Sequence, residues 1–271
     1  MIAGTLAIAT AVPAFAQDEG ASQEGATQEA KEPRRYRLTA GLQFFPRYPG
    51  SDELQPSPMI NFDAVRGDEP FKFEAPDDGF GIEIVRAGGF AFGPILNFED
   101  ARTAKDVGTE LPKVDFSFEV GGVVSYNLGD NFRVRGELRK GVTGHKGWVG
   151  IAGADVILRD QDKWLFSIGP RLTWSDNRYR DAYFSVAPED ALASGLPAYD
   201  AKGGIQAYGA TASFLTQFSE QWGIDVFVKY DRLTDNAANS PIVQTFGSRH
   251  QFAGGLGLTY TFRDANLDKM F

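Results

Sequence analysis

The chain contains no cysteine, which removes disulfide scaffolds, thiolate metal sites and cysteine nucleophiles in one step. It has only two histidines, His145 and His250, and no Walker loop, dinucleotide fingerprint or zinc-ligand spacing occurs. No cofactor or metal is therefore expected. A basic face is also missing: the formal charge is −9, which argues against a nucleic-acid binder. After the first twenty residues no apolar run approaches the ~20 residues that a spanning helix needs. With a mean hydropathy of −0.27, a bundle of membrane helices is excluded.

What is present begins with an address. Ile2 to Val12 is a short apolar stretch followed by Ala14-Phe15-Ala16, which fits an export signal over residues 1–16 with a small-x-small cleavage site. Residues 17–35, dominated by Gly, Ser, Gln, Ala and Glu, have no apolar period and read as a disordered periplasmic leader. From Tyr36 to Phe262 the period is two. Phe132, Val134, Gly136 and Leu138 alternate with Arg133, Arg135, Glu137 and Arg139. Similar alternation marks Tyr36 to Phe44, Phe116 to Val120, Trp164 to Trp174 and Trp222 to Tyr230. A soluble sandwich alternates too, so the period alone does not name the solvent.

Three features point to a membrane. The alternating segments reach about ten residues, the tilted spanning length of a strand. Aromatic residues, including Trp148, Trp164, Trp174 and Trp222, gather at segment ends as interfacial girdles do. The connections also sort by parity. Strands are expected near 36–45, 58–65, 70–76, 79–86, 90–98, 114–126, 131–140, 147–158, 163–174, 203–217, 221–233 and 249–262. The even connections are tight: Arg66 to Glu69, Arg86 to Gly89, Asn127 to Asp130, Arg159 to Asp162, and Ser219-Glu220. The odd ones are mostly long, the longest running from about Ser175 to Lys202. Short periplasmic turns and longer outer loops are the mark of outer-membrane barrels. The expectation is an all-β, antiparallel transmembrane β-barrel of about 12 strands, with 10 as the alternative. It spans 36–262, has both termini in the periplasm, and leaves 263–271 as a short tail.

Lumen-facing charges should come from the polar side of these strands. Arg133, Arg135, Glu137, Arg139, Glu119, Asp155 and Arg171 are the candidates, as an ion-pair ladder that fills the interior or as the lining of a narrow pore. The last strand, Leu256-x-Leu258-x-Tyr260-x-Phe262, ends in an aromatic residue. It looks like the signal read by barrel-assembly machinery.

The loops carry a family resemblance. Pro46, Tyr48, Gly50, Ser51 and Asp52 follow the first strand. Gly169-Pro170-Arg171 and Tyr183-Phe184-Ser185-Val186 come later, then Ser194-Gly195-Leu196-Pro197-x-Tyr199, and Tyr230-x-x-Leu233 running to Ser240-Pro241. In order and spacing they resemble the MipA/OmpV family of outer-membrane proteins, over 36–262. The resemblance implies a scaffold role, since MipA-type members bridge a lytic transglycosylase and a murein synthase, with outer-membrane lipids around the barrel. The acidic leader and the tail depart from that pattern. The same loop residues have a plain reading as turn chemistry, because Ser and Asp bond the nearby backbone.

Other chemistries have thin support. Ser248 and His250, with Asp235 or Glu189, could in principle form a nucleophilic site of a lipid hydrolase, but nothing in the sequence orients them. Asp176, Asp181, Glu189 and Asp190 lack calcium-loop spacing. No enzyme is expected.

Overall fold

The computed structural model describes residues 32–263; the export signal, most of the leader and the tail lie outside them. Twelve strands form one antiparallel sheet. They are β1 (Arg34–Pro46), β2 (Leu54–Arg66), β3 (Phe80–Gly81), β4 (Val85–Ala87), β5 (Phe90–Glu99) and β6 (Ser117–Leu128). The chain continues with β7 (Phe132–Gly141), β8 (Trp148–Asp160), β9 (Trp164–Ser175), β10 (Gly204–Gln217), β11 (Trp222–Leu233) and β12 (His250–Arg263). Short helices interrupt the long connections: α1 (Ala104–Val107), α2 (Asn177–Tyr183), α3 (Pro188–Ser194), α4 (Asp235–Ala238) and α5 (Pro241–Phe246). These helices fall in three of the connections expected to be long, β5 to β6, β9 to β10 and β11 to β12.

First and last strands pair, with Tyr36 opposite Phe262 and Leu38 opposite Tyr260, so the sheet curls round on itself. Its exposure is inside out. Leu42 is 57% exposed, Ile60 63% and Leu256 59%, whereas Thr39, Glu119, Arg133, Asp155 and Thr259 are buried. In water such a surface would aggregate; in lipid it is the required one, polar side chains turned to the interior. The solvent that sequence alternation left open is thereby decided.

Backbone irregularities fall where the sequence forces them. Pro170 has no N–H to give the ladder, and the β8–β9 pairing is interrupted between Gly153↔Arg171 and Val156↔Ile168 with its register kept. The Arg171 guanidinium donates to the carbonyl of Ala154 there, at 3.3 Å. Gly169 must be glycine, because a Cβ would stand 1.6 Å from the Ala154 oxygen.

One expected strand is absent. Residues 70–76 form no ladder; the count of twelve is reached because β3 and β4 are two pieces of one run against β5. Ile82 N–H to Pro94 O and Ile84 N–H to Phe92 O join them, at 3.1 and 2.9 Å. In strand order β2 and β3 are the two ends of the sheet. Pro56 and Pro58 lie on β2, an edge strand where a missing donor is tolerated.

The run after β2 serves the lumen instead. Phe71, Phe73 and Ala75 are buried, with the guanidinium of Arg37 4.4 Å from the centre of the Phe71 ring and that of Arg133 4.6 Å from the Phe73 ring. Asp162 accepts the Phe71 N–H at 3.0 Å, and Arg159 donates to the Phe71 carbonyl at 2.9 Å. Residues 67–79 are thus an extended plug, fastened to the wall by side chains.

Candidate functional site: a plugged lumen under a loop cap

Alternation on β7 turns Arg133, Arg135, Glu137 and Arg139 to the interior, and neighbouring strands add Glu119, Asp155 and Arg171. The structure brings all seven into one network. Asp155 receives Arg133 at 2.7 Å and Arg171 at 2.8 Å. Glu137 receives Arg135 at 2.9 Å and Arg139 at 2.6 Å, and Arg139 also reaches Glu119 at 2.9 Å. With Lys229 and its neighbour Asp231, 3.3 Å away, the wall offers five cations to four carboxylates.

The plug supplies the balance. Asp77 takes Arg171 and Lys229, each at 3.0 Å, and accepts the Thr211 hydroxyl at 2.8 Å. Asp78 takes Arg133 at 2.6 Å and Arg135 at 3.3 Å. Sequence reasoning missed both, because Pro76-Asp-Asp-Gly79 reads as a turn between strands. The usable signal was the excess of lumenal cations, since buried charges demand partners.

Above this network lies Glu119 against His145. His145 Nδ1 accepts the Gly147 N–H at 3.0 Å, and Nε2 lies 2.9 Å from Glu119. That pairing assigns the ring proton to Nε2. Glu99 is 3.9 Å from the same nitrogen and accepts the Tyr179 hydroxyl at 3.0 Å. Glu99, Glu119 and His145 are the one group among the described residues with metal-ligand spacing, yet the donor set does not fit a cation. A ligating Nε2 must be bare, with Nδ1 donating to an acceptor, and here Nδ1 faces a donor.

The long connections close the end above. Tyr48, Tyr183, Phe184, Val186, Leu196, Ile242 and Val243 belong to one buried apolar cluster. The loop motifs stitch this cap. Gly50, at φ +99°, donates to Gln251 at 2.9 Å, and Ser51 bridges to Gly247. Tyr48 donates to the Phe246 carbonyl at 3.4 Å. Ser194 bonds back to Asp190 O at 2.8 Å, and Gly195 ends α3 at φ +71°. Tyr199 bridges Val186 and donates to Asn236 O at 2.9 Å. Ser240 donates to Phe184 O at 2.6 Å and caps α5 ahead of Pro241. Asp52 and Pro197 are exposed. Burial, by withdrawing solvent from the phenolate, pushes the hydroxyls of Tyr179 and Tyr183 well above the usual tyrosine range.

Ser248 and His250 form no reactive pair. The Ser248 hydroxyl accepts the backbone N–H of His250 at 3.0 Å, while the imidazole Nδ1 meets the Tyr230 hydroxyl at 2.7 Å.

An inside-out antiparallel sheet with a charged, plugged interior defines a transmembrane β-barrel of the outer-membrane kind. The chain belongs to the family described as MltA-interacting protein MipA, whose model matches residues 38–262. No curated protein matches it. Among solved structures, an outer-membrane channel from Pseudomonas putida F1 is similar at TM-score 0.41 and 10% identity, over 89% of this chain and 100% of its own. In-vitro folded OmpT of Vibrio cholerae follows at 0.33 and 9%, over 84% and 96%. The N-terminal barrel of Pseudomonas aeruginosa OprF is similar at 0.28 and 12%, over 64% and 98%. Likenesses this distant carry no argument about function.

Proposed function

We propose that this protein is a closed outer-membrane scaffold that holds murein-cleaving and murein-building enzymes near the membrane. The observation that carries the reading is the occupied lumen: an ion-paired plug at one level and an apolar cap at another leave the barrel no task that needs an open path. Its family description names an interaction with MltA, and an interaction partner needs a surface rather than a pore. In this reading both termini and the tight turns face the periplasm. The turn-end charges Asp68, Arg86, Asp130 and Glu220, together with the leader and tail, supply the contacts. The protein acts without catalysis of its own.

A narrow channel for small polar solutes is the second reading. It draws on the plug being fastened by side chains rather than by a ladder, so that it can be withdrawn. Planar-bilayer recording of the purified protein separates the two. The scaffold reading expects no stable conductance. A reproducible current, lost on neutralising Arg135 and Arg139, would overturn it. In the same preparation, a lytic transglycosylase and a murein synthase should be retained on the immobilised barrel. Retention unchanged by removal of residues 17–32 would take the leader out of the contact.

A further inference from the structure

Every arginine of the lumen network has a carboxylate, but among the described residues two buried arginines of the cap, Arg180 and Arg102, have none, and of these Arg102 lines a cavity. Arg102 is 2% exposed. Its guanidinium is held by two backbone carbonyls, Tyr183 O at 3.1 Å and Pro112 O at 2.9 Å. Its Nε has no hydrogen-bond partner, and among the described residues no carboxylate pairs with it. Burial lowers its proton affinity from the usual arginine value, yet a guanidinium stays charged in proteins. A buried cation with only neutral partners is costly unless an anion completes it.

Arg102 lines a cavity of about 600 Å³ in the cap, a size that suits a small-molecule site. The rest of the lining mixes charged with apolar groups: Asp181, Asp190 and Asp200, and Lys113 already paired with Asp115 at 2.8 Å, beside Val186, Pro188 and Tyr199. Asp200 is paired with Lys202, and Asp181 accepts the Ser185 hydroxyl at 3.2 Å. Asp190 has no side-chain partner among the described residues. Asp181 and Asp200 are exposed, whereas Arg102 is buried, so the acids stand nearer the mouth and the cation deeper. A plain anion meets repulsion on entry, and a plain cation has nothing to gain at the bottom. An occupant carrying both signs satisfies both levels.

We propose that this cavity binds small zwitterions of the unblocked short-peptide type. The carboxylate lies against Arg102, the ammonium faces Asp181 and Asp190, and a short aliphatic body packs on Val186 and Pro188. The site is in the loop cap and does not depend on the scaffold reading, which uses the opposite end of the barrel.

The test is calorimetric titration of the folded, detergent-solubilised protein with the dipeptide alanyl-valine. Alanyl-valinamide and N-acetyl-alanyl-valine serve as single-charge controls. Loss of a charge-assisted contact predicts an affinity about tenfold lower for the amide. The acetylated form should bind several-fold more weakly. Arg102→Lys should weaken the free dipeptide by about tenfold as well, since a lysine lacks the planar fork. Because Arg102 also ties two loops together, a second variant leaves it in place: Ala198→Trp, filling the cavity from its lining, should abolish binding. No binding of alanyl-valine at millimolar concentration would overturn the proposal. So would equal affinity for acid and amide, or binding unaffected by Ala198→Trp.

Discussion

The lumen and the cap both occlude the barrel, by opposite means. In the lumen, Asp77, Asp78 and Asp155 each hold two cations of the wall, so closure depends on matching charges one by one. In the cap, Tyr183, Phe184, Ile242 and their neighbours exclude water by packed apolar volume, which is non-directional and shared among many contacts. The difference teaches where each region is fragile. A charge network loses most when one member is deleted, because the partners stay buried and unpaired. An apolar cluster loses roughly in proportion to the volume removed.

The largest effect is therefore expected in the lumen. Asp77→Ala leaves Arg171 with Asp155 alone and Lys229 with Asp231 alone, and breaking such buried pairs costs up to about 3–5 kcal/mol. Urea unfolding of the reconstituted protein, followed by tryptophan fluorescence, should show that loss. Lys72, on the plug and 46% exposed in its side chain, should become the preferred tryptic site. If the plug stays protected and the midpoint unmoved, the lumen is not held together by its charges. Moderate salt should change the wild type little, since buried pairs are poorly screened.

The cap should give a smaller loss. Ile242 is 0% exposed, and Ile242→Ala should cost about 2–4 kcal/mol. Amide exchange should rise in α2, α4 and α5 while the plug keeps its protection. Exchange rising equally in residues 67–79 would show that the two regions are one cooperative unit, and the contrast drawn above would fail.

How much of this was legible in the sequence follows from the same contrast. The wall charges could be read because alternation around Arg133 and Arg135 says which side chains face in. The plug could not. Phe71-x-Phe73-x-Ala75 alternates as a strand does, and a period of two reports which side is buried without reporting whether a neighbour is hydrogen-bonded. Pro70 and Pro76, which bracket the run and lack backbone donors, were the local hint against a ladder. Cap motifs were legible as turn chemistry at Gly50, Gly195 and Ser240. Their assembly was not, because it rests on contacts such as Tyr48 with Phe246, separated by 198 positions. Arg102 was invisible for the same reason: only the folded loops show that a cation with no carboxylate partner lines a cavity.

The smallest effect is the most discriminating about the cap itself. Ser240 is fully buried and joins two loops, donating to Phe184 O at 2.6 Å while accepting the Ile242 N–H at 3.2 Å. Ser240→Ala removes a helix cap and leaves one buried carbonyl without its donor, for about 1–2 kcal/mol. Because Ser240 and Ile242 are near neighbours in one buried cap, the double variant should depart from additivity by at least about 0.5 kcal/mol. Asp77 lies in the other region, so Asp77→Ala combined with Ser240→Ala should add within about 0.5 kcal/mol. Strong coupling in that second pair would mean that the plug and the cap brace one another. Occlusion would then be a property of the whole interior rather than of two independent closures.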